Sequence, residues 1–263
     1  MKIKYRVSKD KRAKYINALV ENNFPEMIIE KHPDLIFVPG GDGAILHAIQ
    51  EYNHLKVPFF GLATGSLNFL MNEIPFSELT NFLEDLKNDK ISIQETETTK
   101  IKVTLTKEGG ERVQVGQAIN EVVIGSSLMG YHHFSVSSSD GSFNNFEMKG
   151  SGICVSTDLG STGYNFNLGG AVLPLGSDLW SISGIVCNRY LSDILNTEKI
   201  SIKCLSKKPE TYVYLDGMRQ KLKIKHDDII SLQRGDKVKI AFYNKKSFFE
   251  KRVDISSRFR KNS

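Results

Sequence analysis

Cysteine is scarce in this chain of 263 residues: Cys154, Cys187 and Cys204 are the only three, widely spaced and set in apolar, strand-like runs. An odd number at such spacings frames neither a disulfide network nor a zinc site, and the three read as buried thiols of a reducing compartment. No apolar run is long enough to cross a membrane, and the start, Met-Lys-Ile-Lys-Tyr-Arg-Val, lacks the apolar stretch of a signal peptide. The expected location is therefore the cytoplasm, with no membrane partner. Walker-type Gly-Lys-Ser/Thr, a Gly-x-Ser-x-Gly elbow and a Ser-His-Asp set are all missing. His132 and His133 are adjacent, so in a strand they point to opposite faces and do not make a metal pair. The formal charge of +5 suits an anionic small molecule as well as an ordinary solvated surface. Without a basic block interleaved with aromatics, no nucleic-acid face is expected.

What is present begins with Asp34-Leu-Ile-Phe-Val-Pro-Gly-Gly-Asp-Gly-Ala44. Leu35 to Val38 show no polar alternation, the pattern of a strand buried on both faces of a parallel sheet, with Pro39 ending it. Ile45, Ala48, Ile49 and Tyr52 then recur at helical spacing. Gly40-Gly41-Asp42-Gly43 thus forms the turn from the carboxyl end of a strand into a helix, where open α/β sheets bind ligands. Glycines there allow positive φ and bring bare N–H groups, backed by the helix dipole, to an anion such as phosphate. A carboxylate in such a cradle needs a divalent cation or a substrate hydroxyl beside it, which makes Asp42 a candidate base or metal-side ligand. The same four residues read equally as a tight turn with an Asx-type carboxylate.

Strands are expected at Ile3 to Val7 and Val57 to Leu62, and helices at Lys11 to Asn22 and around Phe76, Leu79, Phe82, Leu83 and Leu86. This alternation predicts an α/β domain, doubly wound on a mostly parallel sheet, over residues 1–92. From residue 93 to about 245 the chain alternates as β segments broken by Glu108-Gly-Gly, Ser139-Asp-Gly and Arg234-Gly-Asp turns, and a mostly antiparallel β-rich domain is expected. The tail, about 246–263, has weak helical spacing and is expected to return to the first domain. Asn120 and Glu121 fall inside the strand-like run Ala118 to Ile124, as a satisfied structural bridge or a ligand reader, the residues alone favouring the bridge. Residues 149–164 are rich in glycine and hydroxyls, and Tyr214-Leu-Asp216-Gly217 reads as a strand entering a hairpin turn.

Taken together, Gly40 to Gly43 after a buried strand, Asn120-Glu121, the glycine segment with Thr162-Gly163-Tyr164, and Asp216-Gly217 resemble the NAD kinase family in order and approximate spacing. The resemblance runs from about Asp34 to Phe249. It implies a kinase that transfers the γ-phosphoryl of ATP to the 2′-hydroxyl of the adenosine ribose of NAD, giving NADP with Mg²⁺ or another divalent cation. It implies Asp42 as the activating residue, with no metal ligand assigned. It further implies contacts to nucleotide from Gly40, Gly41, Gly43, Gly65, Phe69, Asn120, Glu121, Ser151, Thr162, Gly163, Tyr164, Asn167 and Asp216. NAD and ATP are the implied partners, and a homo-oligomer, dimer or tetramer, the implied assembly. Departures from the family pattern stand at Ser151, Asp158, Leu159 and Asn68, and they are expected to fall on the acceptor pocket and leave the glycine turn intact. They keep two alternatives open: a related Gly-Gly-Asp-Gly kinase with another hydroxyl acceptor, or an inactive NAD(P)-binding sensor.

Overall fold

The structure is a computed structural model that describes residues 1–6, 10–65, 68–126, 130–217, 220–244, 246, 249–250, 252 and 254, with Gln220 described in its backbone alone. Two compact units divide the chain: Met1–Glu97 together with the stretch beginning at Val238, and Thr98–Lys237.

In chain order the first unit contains β1 (Ile3–Tyr5), α1 (Lys11–Asn23), β2 (Leu35–Gly40), α2 (Asp42–Tyr52), β3 (Phe59–Ala63) and α3 (Leu79–Lys87). β2 is flanked in parallel by β1, from Ile3 opposite Leu35 to Tyr5 opposite Phe37, and by β3, from Ile36 opposite Phe59 to Gly40 opposite Ala63. Every residue of β2 is buried, as its unbroken apolar run requires. The Asp10 side chain caps α1 by accepting from the Ala13 N–H at 2.8 Å. Ile16 and Val20 of α1 and Leu79, Phe82, Leu83 and Leu86 of α3 cover the sheet face of Leu35, Phe37, Phe60 and Leu62. α2 packs by Ile45, Ala48 and Ile49 on β2 and β3, with Ile45 over Gly61 on the opposite face. Helices on both faces make this a doubly wound α/β unit. Each fully buried Leu, Ile or Phe contributes about 1.5–3 kcal/mol through apolar burial.

Some local expectations give way here. Pro39 does not end β2: pairing to β1 stops at Phe37, so the missing N–H costs no bond on that side while pairing to β3 continues. Phe76 lies outside α3, 61% exposed, against the ring of Tyr15 at 5.2 Å. The expectation for the tail lies largely outside the described residues.

The second unit is built from β4 (Gln94–Thr106), β5 (Arg112–Ala118), β6 (Glu121–Gly125), β7 (His132–Ser138), β8 (Phe146–Ser156), α4 (Tyr164–Asn167), β9 (Trp180–Cys187), β10 (Ser192–Leu195), β11 (Lys199–Cys204), β12 (Thr211–Leu215), β13 (Gln220–Ile224) and the first part of β14 (Ile229–Phe242). Adjacent strands run β14, β11, β7, β8, β6, β12, β13; β9 and β10 continue from β8, and β4 and β5 pair beside β14. The recorded pairings within this unit are antiparallel. Strand alternation sends Val122, Ile124, Ile153, Val155, Val213 and Leu215 into its core around Trp180. Cys154 and Cys204 are buried and Cys187 is half-buried; all three are free thiols.

Arg234-Gly235-Asp236 is no turn but lies within β14. Gln117 holds it there, accepting from the Asp236 N–H at 2.7 Å and donating to its carboxylate at 2.8 Å, and a side chain at Gly235 would collide with the Gln117 amide. Residues 93–97 and 238–244, read from the sequence as part of the β-rich domain, group with the first unit instead. The reason for the latter is parallel pairing of Ile240 with Phe59 and burial of Ala241 in the first unit's core.

Candidate active site

The first unit places the glycine turn at the carboxyl end of β2. Gly41 is the N-cap of α2, and Asp42 and Gly43 form its first turn. Gly40 alone of the three turn glycines takes the positive φ expected of the turn, +157°, and a Cβ there would also sit 2.5 Å from that of Ala44; Gly41 sits at −114°. At Gly43 what glycine leaves is space, since an added Cβ there meets no atom within 4 Å. The Asp42 carboxylate accepts the Phe69 N–H at 2.9 and 3.0 Å and the Leu70 N–H at 3.0 Å. It therefore fixes the Asn68–Leu70 loop to the start of α2 and favours the helix dipole at the same time. Asn68 is buried and donates to the Gly65 carbonyl at 2.8 Å, so this departure from the family pattern ties the loop together.

Beside the turn lies a cavity of about 670 Å³ whose walls include Lys11, Arg12, Tyr15, Thr64 and Gly65. Arg12 donates to the Thr64 carbonyl at 2.8 Å, and the Thr64 N–H donates to the Gly40 carbonyl at 2.9 Å. These two cations were not singled out by sequence reading, because nothing marks them in a surface helix rich in lysine.

In the second unit, Asn120 and Glu121 are not both in a strand: Asn120 lies in the bend after β5, and Glu121 opens β6. The Asp216 carboxylate builds that bend, accepting the Ile119 N–H at 2.9 Å and the Asn120 N–H at 2.7 Å, with the Glu121 N–H at 3.4 Å. From the other side Thr157 donates its hydroxyl to the Ile119 carbonyl at 2.7 Å and its N–H to the Asn120 carbonyl at 2.8 Å. Gly160 packs so closely on the Asn120 backbone that any side chain there would collide with it. Despite this scaffold, Asn120 Oδ1 and Glu121 Oε2 are buried without a partner among the described residues. Burial, with the Asp216 charge adding to it, pushes the Glu121 carboxyl up to about 7.

Glu121 lines a cavity of about 370 Å³, together with Ser151, Tyr164 and Tyr214. Gly163 adjoins it: a Cβ there would sit 3.4 Å from Glu121 Oε2. Burial, with Cys154 and Glu121 adding to it, also raises the Tyr164 phenol. Thr162 is half-buried in the short turn before Gly163, whereas Asn167 is exposed at the end of α4 and is not part of the cavity wall. Tyr214 is a lining residue that sequence reading passed over as part of a hairpin.

The departures at Asp158 and Leu159 do not fall on this cavity. Asp158, 2% exposed, accepts from the Thr98 hydroxyl and from the Leu159 and Gly176 N–H groups, at 2.7 and 2.6 Å for the two amides, and Leu159 is buried. An aspartate can replace proline there because three donors converge on it. Ser151 does face the cavity.

Residues 1–91 match the ATP-NAD kinase N-terminal domain. Over 154 residues the chain is 34% identical to an NAD kinase of Rickettsia bellii, an alignment covering 58% of this chain and 56% of that protein. Against an NAD kinase of Rickettsia prowazekii it is 31% identical over 177 residues, 66% of each chain. The matched stretch thus spans little more than half the length of the first of these relatives. The fold is also similar to the crystal structure of yeast NADH kinase complexed with NADH, with a TM-score of 0.76 at 18% identity over 97% of this chain and 86% of that one. For an NAD kinase from Archaeoglobus fulgidus in complex with ATP the TM-score is 0.68 at 19% identity, over 97% of both chains.

Proposed function

Residues 1–91 belong to the ATP-NAD kinase N-terminal domain family, and on that premise we propose that the chain is an NAD kinase, phosphorylating the 2′-hydroxyl of the adenosine ribose of NAD with ATP. The observation that carries the reading beyond the first domain is Glu121 Oε2, buried without a donor on the wall of the second unit's cavity, with Asn120 Oδ1 likewise unpaired beside it in sequence. Unpaired buried atoms occur elsewhere in the chain, at Asn17 and Ser181 among others, but Glu121 Oε2 faces a cavity, where a bound ligand's N–H or O–H group can meet it.

In the reaction, the 2′-oxygen forms a bond to the γ-phosphorus while the bond from that phosphorus to the β,γ-bridging oxygen breaks. Asp42 takes the hydroxyl proton and ADP departs. The glycine turn brings N–H groups and the α2 dipole to the phosphates. Lys11 and Arg12, on the wall of the adjoining cavity, supply positive charge for the donor. Glu121, Asn120, Ser151, Thr162, Gly163 and Tyr164 hold the acceptor, and Asp216 positions the first two.

Among the described residues no group of three or more His, Cys, Asp or Glu could hold a metal ion. Mg²⁺ in nucleotide kinases commonly uses one or two carboxylates and the substrate phosphates. A bound Mg²⁺ would neutralise phosphate charge, with Asp42 beside it rather than as its ligand, since both its oxygens already accept backbone N–H groups. A homo-oligomer is supported by the exposed apolar Val186, Tyr190 and Ile194 on and between β9 and β10, to be checked by light scattering. Three free thiols support a cytoplasmic location. Among the described residues, no helix is long and apolar enough to cross a membrane.

The test is incubation of purified protein with NAD, ATP and Mg²⁺, with NADP read by an NADP-specific dehydrogenase. NADP formation is expected; a folded protein that binds both substrates and makes none overturns the reading.

A further inference from the structure

Tyr214 belongs to β12, whose neighbours Val213 and Leu215 enter the core, so alternation turns Tyr214 to the opposite face of the sheet. On that face it lies across from Val123 of β6, two residues along from Glu121. The side chain is 6% exposed, its hydroxyl has no partner among the described residues, and it lines the same cavity as Glu121. Its neighbour on the same face, Tyr212, shows what an ordinary tyrosine of this strand does: it donates to Glu210 at 2.6 Å. An apolar side chain would serve Tyr214's packing as well, so the orphaned hydroxyl needs another reason.

The wall of the cavity supplies one. Besides Tyr214 it presents the Glu121 carboxyl and the residues Ser126, Ser151 and Tyr164, and among the described residues it contains no Lys, Arg or His. These described groups offer phosphate no cation, whereas a phosphate site calls for cations or converging N–H donors. It complements an uncharged group that both gives and takes hydrogen bonds, such as a ribose hydroxyl or a carboxamide: the carboxyl of Glu121 accepts and the phenol of Tyr214 donates.

We propose that Tyr214 is a further specificity-determining residue of the acceptor site, its hydroxyl and the Glu121 carboxyl together gripping an uncharged hydroxyl- or amide-bearing part of the dinucleotide. The assignment rests on the reading of the chain as an NAD kinase. It is tested by a measurement that needs no turnover.

Tyr214→Phe removes one oxygen and keeps the ring. By calorimetry the Kd for NAD is expected to rise about tenfold, as for the loss of one buried hydrogen bond, while the Kd for ATP and the melting temperature stay at their wild-type values. The control Tyr212→Phe should leave the NAD Kd unchanged. If NADP is made, KM for NAD should rise with kcat within twofold. An NAD Kd within twofold of wild type in a folded Tyr214→Phe protein overturns the assignment and leaves the kinase reading standing. Weakened NAD binding with no NADP formed by the wild type keeps the Tyr214 contact and removes the kinase reading. A wild type that does not bind NAD overturns both.

Discussion

In the first unit the candidate base comes from a contiguous tetrapeptide, and its carboxylate is already occupied by the N–H groups of Phe69 and Leu70. In the second, the candidate acceptor site is gathered from residues between 120 and 217, and its polar atoms are left over: Asn120 Oδ1, Glu121 Oε2 and the Tyr214 hydroxyl all lack partners among the described residues. One region is finished before any ligand arrives; the other is built to be finished by one. Chemistry that must run on many turnovers gains from a preorganised group, whereas selectivity gains from buried polar atoms that a wrong ligand leaves unpaired.

The largest effect should come from attacking the finished region. Asp42→Asn keeps an acceptor oxygen for the Phe69 and Leu70 amides but cannot take a proton, so kcat is expected to fall about 10²–10⁴-fold with little change in melting temperature. A variant retaining more than a tenth of the activity would move the base elsewhere.

Next in size is Asp216→Ala. It strands the Ile119, Asn120 and Glu121 amides, and losing those hydrogen bonds should cost about 3 kcal/mol of stability together with affinity for NAD. Urea unfolding should show a lower midpoint at an unchanged slope. Lys100, buried nearby, has its ammonium pushed down by burial against the opposing charges of Asp236 and Asp216, so removing Asp216 also takes away one of its supports.

Glu121→Gln sharpens the comparison through pH. The folded chain holds the Glu121 proton up to about 7 against an ordinary 4.5. The stability this provides is complete below the ordinary value and is lost as pH rises through about 7. Glutamine mimics the protonated form, so the variant should gain on the wild type between pH 5 and pH 8, by on the order of 3 kcal/mol. Ligand donors favour the ionised carboxyl, so wild-type NAD affinity should strengthen over the same interval and the variant's should not. Parallel stability curves for the two proteins would show that Glu121 does not titrate there.

How much of this could be read in the sequence follows from the same contrast. β2, α2 and the glycine turn are local features, written in an apolar run followed by helical spacing, and they stand close to where those patterns put them. Three orphaned atoms are not local. Tyr214 looks like any strand tyrosine until the β6–β12 pairing sets it opposite Val123. Asp216 looks like a hairpin residue until its carboxylate meets the backbone near residue 120. Asp158 and Leu159 looked like changes to the acceptor pocket because they neighbour Thr162 in sequence, yet strand and turn geometry sends them inward. Arg234-Gly-Asp has the composition of a turn, and only Gln117, far away in the chain, keeps it extended.

Asn167 gives the smallest effect and the cleanest separation of resemblance from geometry. Its place in the family pattern makes it a binding residue, but its side chain is exposed at the end of a one-turn helix and does not line the cavity that Glu121 and Tyr214 share. The neighbouring Asn165 is the buried one, donating to the Ser161 and Ala171 carbonyls at 3.3 and 3.0 Å and accepting from Ser183 at 3.0 Å. Asn167→Ala should therefore leave stability within about 0.5 kcal/mol and the NAD Kd within twofold, while Asn165→Ala should destabilise the protein by several times that amount. A tenfold loss of NAD affinity in Asn167→Ala would mean that the site extends beyond the cavity and that the sequence resemblance located a contact the cavity wall does not contain.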